Sequence, residues 1–134
     1  MARARNLKPS FFRDAALVEL PVETRLLFAG LWTLADRRGR MEDKAKQIKM
    51  ELYPADNFDV DAMLTELHNA ALIVRYKIEG KGFIQVRSFE KHQNPHRDEK
   101  ESAIPAPCEH GANTVQAPCE HDGNRASTSN LQPI

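Results

Sequence analysis

The chain has 134 residues, of which 41% are hydrophobic and 28% charged, a composition typical of one ordinary globular domain. Its formal net charge is zero, so overall charge does not by itself indicate nucleic-acid binding. No run of 18 apolar residues predicts a membrane span, and no apolar segment follows the basic N-terminus as in a signal peptide. Both cysteines lie near the C-terminus, outside any predicted core, which favours a reducing, cytoplasmic compartment over a disulfide framework.

The charge is unevenly distributed along the chain. Residues 1–100 carry 18 Lys/Arg and 15 Asp/Glu, a net of +3, whereas residues 101–134 carry one Arg and four acids, a net of −3. The second segment has no aromatic residue, and an octamer at residues 106–113 recurs almost unchanged at residues 117–124. Such a segment buries too little apolar surface to offset its ordering entropy. We therefore predict a domain at residues 1–100 and a disordered tail at residues 101–134.

The first half of the domain has helical periodicity with one short extended segment. A helical turn is predicted at residues 14–20, closed by Pro21, followed by a long, broadly buried helix at residues 22–35. Phe28 and Trp32 lie on that helix at core spacing, and Gly39 ends the turn after it. A short strand at residues 40–41 and a second helix from Glu42 or Asp43 to about Leu52 follow.

The second half changes from helical to alternating periodicity. Asp59 is a favourable N-cap for a third helix, whose apolar residues fall on one face: Val60, Met63, Leu64, Leu67 and Ala71. Residues 72–78 and 83–87 are β-branched or alternating and flank a Gly-containing turn at residues 79–82, which predicts a β-hairpin. Phe83, like Phe28 and Trp32, is expected in the core.

The predicted order is helix, short strand, helix, helix, hairpin. This is a mostly α, α+β fold in the order of a winged helix-turn-helix. Three helices form a small core, and the hairpin covers its open side because a lone two-stranded hairpin is not stable.

Three segments carry a resemblance to a known family. Residues 26–40 (LLFAGLWTLADRRGR), 73–76 (IVRY) and 89–96 (FEKHQNPH) resemble winged-helix proteins of phages and prophages. These proteins are described as replisome organisers or replication initiation proteins, similar to the N-terminal domain of DnaD-like proteins. The resemblance covers roughly residues 3–98. It implies a DNA-binding protein of replication initiation or its regulation, in the cytoplasm of a bacterial host cell, with duplex DNA and replication proteins as partners.

The chain departs from that family at two points. Members often have Gly near position 71, where this chain has Ala71, so the helix–strand corner is expected to avoid a positive φ. Initiators also tend to carry a second domain that contacts a helicase or its loader, whereas this chain ends in a short tail. Direct helicase loading is therefore not expected.

In the usual winged-helix arrangement the third helix enters the major groove. Its polar face here has three acids and no Lys or Arg, and DNA repels such a face. If it did bind, Thr65, His68 and Asn69 would contact the bases.

Positive charge lies instead on an N-terminal arm, the second helix, the hairpin and the segment after it. A basic arm and wing are established ways to hold phosphates or a minor groove. The alternative is that these residues are ordinary solvated charges. The acids interleaved with the lysines of the second helix favour that interpretation there. The candidate DNA contacts are Arg3, Arg5, Lys8, Arg13, Lys44, Lys46, Lys49, Arg75, Lys77, Lys81, Arg87, Lys91, His92, His96 and Arg97.

No metal, cofactor or catalytic site is predicted. His92 and His96 have the i, i+4 spacing of helical metal ligands, but Pro95 argues against a helix there and favours a structural or phosphate-contacting role. Two Cys-x-His pairs, at residues 108–110 and 119–121, supply a zinc ligand set without the spacing of a common finger, and the duplication explains them without metal. No nucleophile–base constellation or Gly-rich phosphate loop occurs, so the chain is not expected to be an enzyme.

Protein interaction is the alternative function. The same fold would dock a replication partner or a second copy through its acidic third helix. If a second copy of the chain covers that face, protein docking is favoured. If the face is exposed and the arm and wing form a continuous basic strip, DNA binding is favoured. A phage factor directed against the host, with no DNA contact, is a third alternative that no residue singles out.

Overall fold

The computed structural model describes residues 2–95 and 97–107. Two 3-10 turns, Pro9–Arg13 and Leu17–Glu19, precede the main elements, where the sequence predicts one turn at residues 14–20. The described residues then form four helices and three strands in an α+β fold, as predicted. The elements are α1 (Val22–Leu34), β1 (Arg40–Glu42), α2 (Ala45–Leu52), α3 (Val60–Asn69), β2 (Ile73–Ile78), β3 (Lys81–Val86) and α4 (Phe89–His92).

Helices α1, α2 and α3 form where the apolar periodicity predicts them, with a shifted start for α2, whereas the short helix α4 is not predicted from the sequence. The carboxylate of Asp59 accepts a hydrogen bond from Ala62 N at 3.2 Å, so the predicted N-cap of α3 is confirmed. Helix α2 begins at Ala45 and not at Glu42 or Asp43, because Glu42 pairs with Phe83 in the sheet. Glu42 therefore lies in strand β1, although the local sequence favours its assignment to the helix.

The three strands form one antiparallel sheet in the order β1-β3-β2. Ile84 at the centre of β3 lies opposite both Met41 and Arg75. The hairpin turn is shorter than predicted, and its two residues, Glu79 and Gly80, have φ angles of 53° and 83°. Positive φ at both positions is the requirement of a type I′ turn, whose twist matches that of the flanking strands.

The core lies between α1, α3 and one face of the sheet. Leu27 and Leu31 of α1, Leu64 and Leu67 of α3, and Ile84 are each 0% exposed. Phe28 is buried and Trp32 is half-buried against this cluster, as expected. Phe83 is buried as well, but it is not part of this core cluster, because it neighbours Ile84 in β3 and successive strand residues point to opposite faces of the sheet. However, α1 is less completely buried than predicted: two of its residues, Val22 and Leu26, are 67% and 60% exposed. Within the described residues, no helix is long and apolar enough to cross a membrane.

The expected avoidance of positive φ at Ala71 is wrong, because its φ is 64°. Ala71 N donates to His68 O and Leu72 N donates to Leu67 O, each at 3.0 Å. These two bonds are the Schellman arrangement, which satisfies carbonyl groups that the end of α3 would otherwise leave unpaired. The bonds outweigh the cost of about 1–2 kcal/mol that a left-handed conformation imposes on a residue with a Cβ.

Candidate nucleic-acid interface

The first residues of the N-terminal arm cap the C-terminus of α1. Arg3 N donates to Thr33 O at 2.8 Å, while Arg5 Nε donates to Trp32 O and Arg5 Nη2 to Ala35 O, both at 3.0 Å. These carbonyls have no partner inside the helix, and a guanidinium at this end also complements the helix dipole. This part of the arm is therefore fastened to the domain and is not free to follow a DNA groove.

Arg5 is also one half of a buried ion pair. Its Nη1 and Nη2 donate to the two carboxylate oxygens of Glu99 at 3.1 and 2.9 Å, and the two side chains are 5% and 3% exposed. Arg3 Nε lies 3.2 Å from the same carboxylate, and the Arg5 guanidinium lies 5.2 Å from the ring centroid of Phe89. The hydrogen bonds from Arg5 are the main reason that the pKa of Glu99 is lowered. Arg5 has a structural role in this arrangement.

A C-terminal strap, residues 99–105, crosses the loop after α1 and the outer side of the sheet. Arg38 pairs with Glu101 at 2.9 Å, and Ser102 donates to the Asp36 carboxylate. Arg40 Nη1 donates to Ile104 O at 2.8 Å, and Tyr76 donates through its hydroxyl to Pro105 O at 2.7 Å. Contacts with the domain thus continue past the predicted boundary at residue 100. From the sequence, the loop after α1 is expected only to end that helix, and its contacts with the strap are not predicted.

Arg75 ties α3 to the start of α2. Its guanidinium bonds both carboxylate oxygens of Asp43 at 2.7 and 2.9 Å and one oxygen of Asp61 at 2.7 Å. These carboxylates raise its pKa, with Asp43 making the largest contribution. Arg75 also donates to Thr65 Oγ1 through Nη1 and to His68 Nδ1 through its backbone N, both at 3.1 Å. Arg75 and two of the three predicted base readers are therefore occupied with one another.

Other predicted DNA contacts on α2, the hairpin and the segment after α4 also have partners. Lys44 and Lys81 both pair with Glu42, at 2.9 and 3.1 Å, and together they lower its pKa. Lys49 Nζ donates to Tyr53 O at 3.3 Å at the end of its own helix, and Arg97 lies 4.0 Å from Asp98.

The remaining candidates in the described ranges are exposed and have no ion pair or side-chain hydrogen bond there. They are Lys8, Arg13, Lys46, Asn69, Lys77, Arg87, Lys91 and His92. His96, the further candidate, lies outside the described residues, as do both Cys-x-His pairs of the tail.

The fold brings three of these exposed side chains to one cavity, which we call the arm pocket. Lys8, Arg87 and His92 line it together with the apolar side chains of Phe11, Trp32 and Leu72. The cavity has a volume of about 190 Å³. The three basic residues come from the arm, the residue after β3 and α4, up to 84 positions apart in the chain. No local pattern brings them together, and for this reason sequence analysis did not find the pocket.

One buried side chain holds the arm against this cavity. Gln93 is 7% exposed, and its amide accepts from Asn6 N and donates to Asn6 O, both at 2.8 Å. This paired contact resembles a rung of a β-ladder. It positions the arm beside the end of α4, where Asn6 and Gln93 both line the pocket.

Comparison with known proteins adds no further identification: no family model, curated protein or solved structure matches the chain. Nor do the described residues contain a group of three or more His, Cys, Asp or Glu side chains that could hold a metal ion.

Proposed function

We propose that this chain is a winged-helix protein of phage or prophage type that binds DNA in replication initiation or its regulation. The element order from α1 to β3, with the sheet order β1-β3-β2, supports the winged-helix assignment. Binding takes place at the arm and the base of the hairpin, and α3 does not enter the major groove as a recognition helix.

The observation that carries this proposal is the distribution of unpaired positive charge. Lys8 and Arg87 line one pocket without an internal partner, together with the imidazole of His92, and Lys91 precedes His92 on α4. Duplex DNA carries about one negative charge per 1.7 Å of its axis, so phosphates favour unpaired cations over neutralised ones. By contrast, Asp61 on α3 is held by Arg75, and Glu66 accepts from Thr24 Oγ1 at 2.7 Å.

The test is a salt titration of the full chain with a short fluorescent duplex, measured by anisotropy. Lys8→Ala with Arg87→Ala removes two pocket cations. Lys100→Ala is the control, because it removes a positive charge from an exposed site that lies outside the pocket and is not a candidate DNA contact. Each lost phosphate contact lowers the slope of log K against log salt by about 0.9. We therefore expect the magnitude of this slope to be smaller by about 1.8 in the pocket variant and to change much less in the control. Absence of binding at low salt to any duplex or single strand would refute the proposal.

Protein docking is the second candidate, and one observation favours it. Val22 and Leu26 are one turn apart on α1, and both are more than half exposed. A docking surface on α1 differs from the acidic α3 face that the sequence favours, whose carboxylates are engaged within the chain. Sedimentation equilibrium of the full chain and of Leu26→Glu tests self-association, because the variant would be monomeric where the parent chain is not.

A further inference from the structure

We propose that the arm pocket receives one unstacked nucleobase, with the phosphate of the same nucleotide held at Lys8, Arg87 and His92. This inference rests on the proposed function and makes it more specific. The preferred ligand would be a single-stranded or unpaired stretch of nucleic acid, because the bases of an intact duplex are stacked and inaccessible. The ligand class is therefore a nucleotide, offered either within a strand or free.

The walls of the pocket have the chemistry of a base-stacking site. Trp32 lies at the centre of an edge-to-face cluster, with ring centroids 5.5 Å from both Phe11 and Phe28. All three rings line the cavity, and Leu17 and Leu72 complete its apolar surface. Stacking of a base on an aromatic side chain contributes substantially to single-strand binding and tolerates any base. A site that binds only phosphates does not need such an aromatic and apolar lining.

The size of the cavity limits what it accepts. Its volume is about 190 Å³. An apolar cavity of about 150 Å³ is known to hold benzene, and pockets for drug-sized molecules begin at about 300 Å³. The arm pocket therefore has room for one base and not for two stacked bases. The sugar and phosphate would remain at the mouth of the pocket, where the cations are.

The charges around the pocket favour an anion at that position. Its basic side chains are exposed and unpaired within the described residues. The one acid in the lining, Asp14, uses its Oδ1 to accept from Ala16 N and Leu17 N at 2.9 and 3.2 Å. Asp14 is thus engaged as a turn cap. An aromatic floor with a cationic rim matches the base and phosphate of a nucleotide.

The backbone around the pocket adopts costly conformations. Ala71 and Ser88 both line it, with φ angles of 64° and 58°, a region that disfavours residues with a Cβ. The hydrogen bond from Arg87 N to Leu72 O, at 3.1 Å, joins the two strained corners. Such strain persists where the surrounding structure holds it, and it often marks binding sites.

The chain has a built-in probe for this proposal, because Trp32 is its only tryptophan. Trp32 fluorescence of the full chain would be titrated with a thymidine oligomer, an abasic oligomer of equal length, the matching duplex, thymidine monophosphate and inorganic phosphate. We expect strong quenching by the thymidine oligomer, and binding about fivefold or more weaker for the abasic oligomer, which cannot stack.

Two variants separate the pocket from general charge effects. Arg87→Ala should weaken oligomer binding about tenfold, the value of one charge-assisted contact, whereas Lys100→Ala, at an exposed site outside the pocket, should leave it nearly unchanged. Ser10→Phe keeps every cation but places a ring in the lining, so it should abolish the quenching. Circular dichroism of each variant verifies that it is folded.

The outcomes distinguish this inference from the proposed function. If anisotropy detects duplex and single strand equally and Trp32 fluorescence does not respond, the pocket proposal is overturned while DNA binding stands. Full quenching by inorganic phosphate, or equal affinity for the abasic oligomer, would also overturn it. Quenching by thymidine monophosphate without binding of any polymer would support the pocket as a site for free nucleotides and would refute the proposed function.

Discussion

Replacing Glu99 with Gln should destabilise the protein markedly, because it leaves the buried guanidinium of Arg5 without its counter-ion. Arg5 makes two hydrogen bonds to Glu99, and both side chains are at least 95% buried. Breaking a buried pair by changing one partner costs about 3–5 kcal/mol. We expect the lower end, about 3 kcal/mol, because Arg5 keeps its bonds to Trp32 O and Ala35 O. In a domain of this size that loss lowers the melting temperature by about 12 °C or more.

Urea and thermal unfolding, followed by circular dichroism, measure the effect. Glu101→Gln is the matched control: Glu101 also pairs with an arginine on the strap, but its side chain is 63% exposed and that of Arg38 41%. Solvent screens such a pair, so little change is expected. The double variant Arg5→Met with Glu99→Leu should recover only part of the loss: no charge then stays buried, but Trp32 O and Ala35 O lose the donors that Arg5 supplies. Equal stabilities of the Glu99 and Glu101 variants would refute the assignment of the pair as the anchor of arm and strap.

The pH dependence provides a second test of the same pair. Its hydrogen bonds with Arg5 hold the pKa of Glu99 below its ordinary value. The unfolded chain therefore takes up this proton at a higher pH than the folded chain does. The stability that Glu99 contributes is fully present above the ordinary glutamate pKa of about 4.3 and is lost as pH falls through its lowered folded pKa. The difference in stability between the parent chain and Glu99→Gln should thus be constant near neutrality and shrink in acid.

Three further predictions follow from backbone conformation and burial. Gly39→Ala should lower the free energy of unfolding by about 3 kcal/mol. The φ of Gly39 is 80°, so an alanine there is strained by about 1–2 kcal/mol. Its Cβ would also lie 2.6 Å from the side chain of Phe89, and such overpacking costs about 1–3 kcal/mol. Gly80→Ala, with a φ of 83° and nothing within 4 Å, should cost only the strain, and equal urea midpoints for the two variants would contradict this. Ala71→Gly should raise the free energy of unfolding by about 0.5–1 kcal/mol, and the urea midpoint with it, because relief of strain exceeds the added entropy of the unfolded chain. A lowered midpoint would count against the left-handed corner. Burial raises the pKa of Tyr76 to about 12. In Tyr53→Phe, which leaves Tyr76 as the sole tyrosine, the absorbance at 295 nm should therefore show no more than about a tenth of the phenolate at pH 11. Stability should fall as pH rises above the ordinary tyrosine pKa of about 10. A folded-state midpoint near pH 10 would show that Tyr76 is exposed to solvent.

Local sequence determined most of the secondary structure. Helix α3 and its cap at Asp59 follow from apolar spacing and a side chain that bonds three residues ahead, and the hairpin follows from alternation around a Gly-containing turn. Two of the local errors have tertiary causes. Helix α2 starts later than predicted because Glu42 pairs with Phe83 of β3. Ala71 adopts a left-handed conformation because the backbone hydrogen bonds that end α3 require it.

The state of each charged residue was decided only by the tertiary structure. The sequence identifies a set of cations, but it does not tell Arg75, held by an aspartate 32 positions away, from Lys77, which is exposed two residues later. Nor does it show that Arg5 meets Glu99, 94 positions along the chain, or that Lys8, Arg87 and His92 line one cavity. Helical and strand periods act between near neighbours, so a sequence displays them directly. Ion pairs and pockets depend on distances in space, which the packing of the whole chain determines.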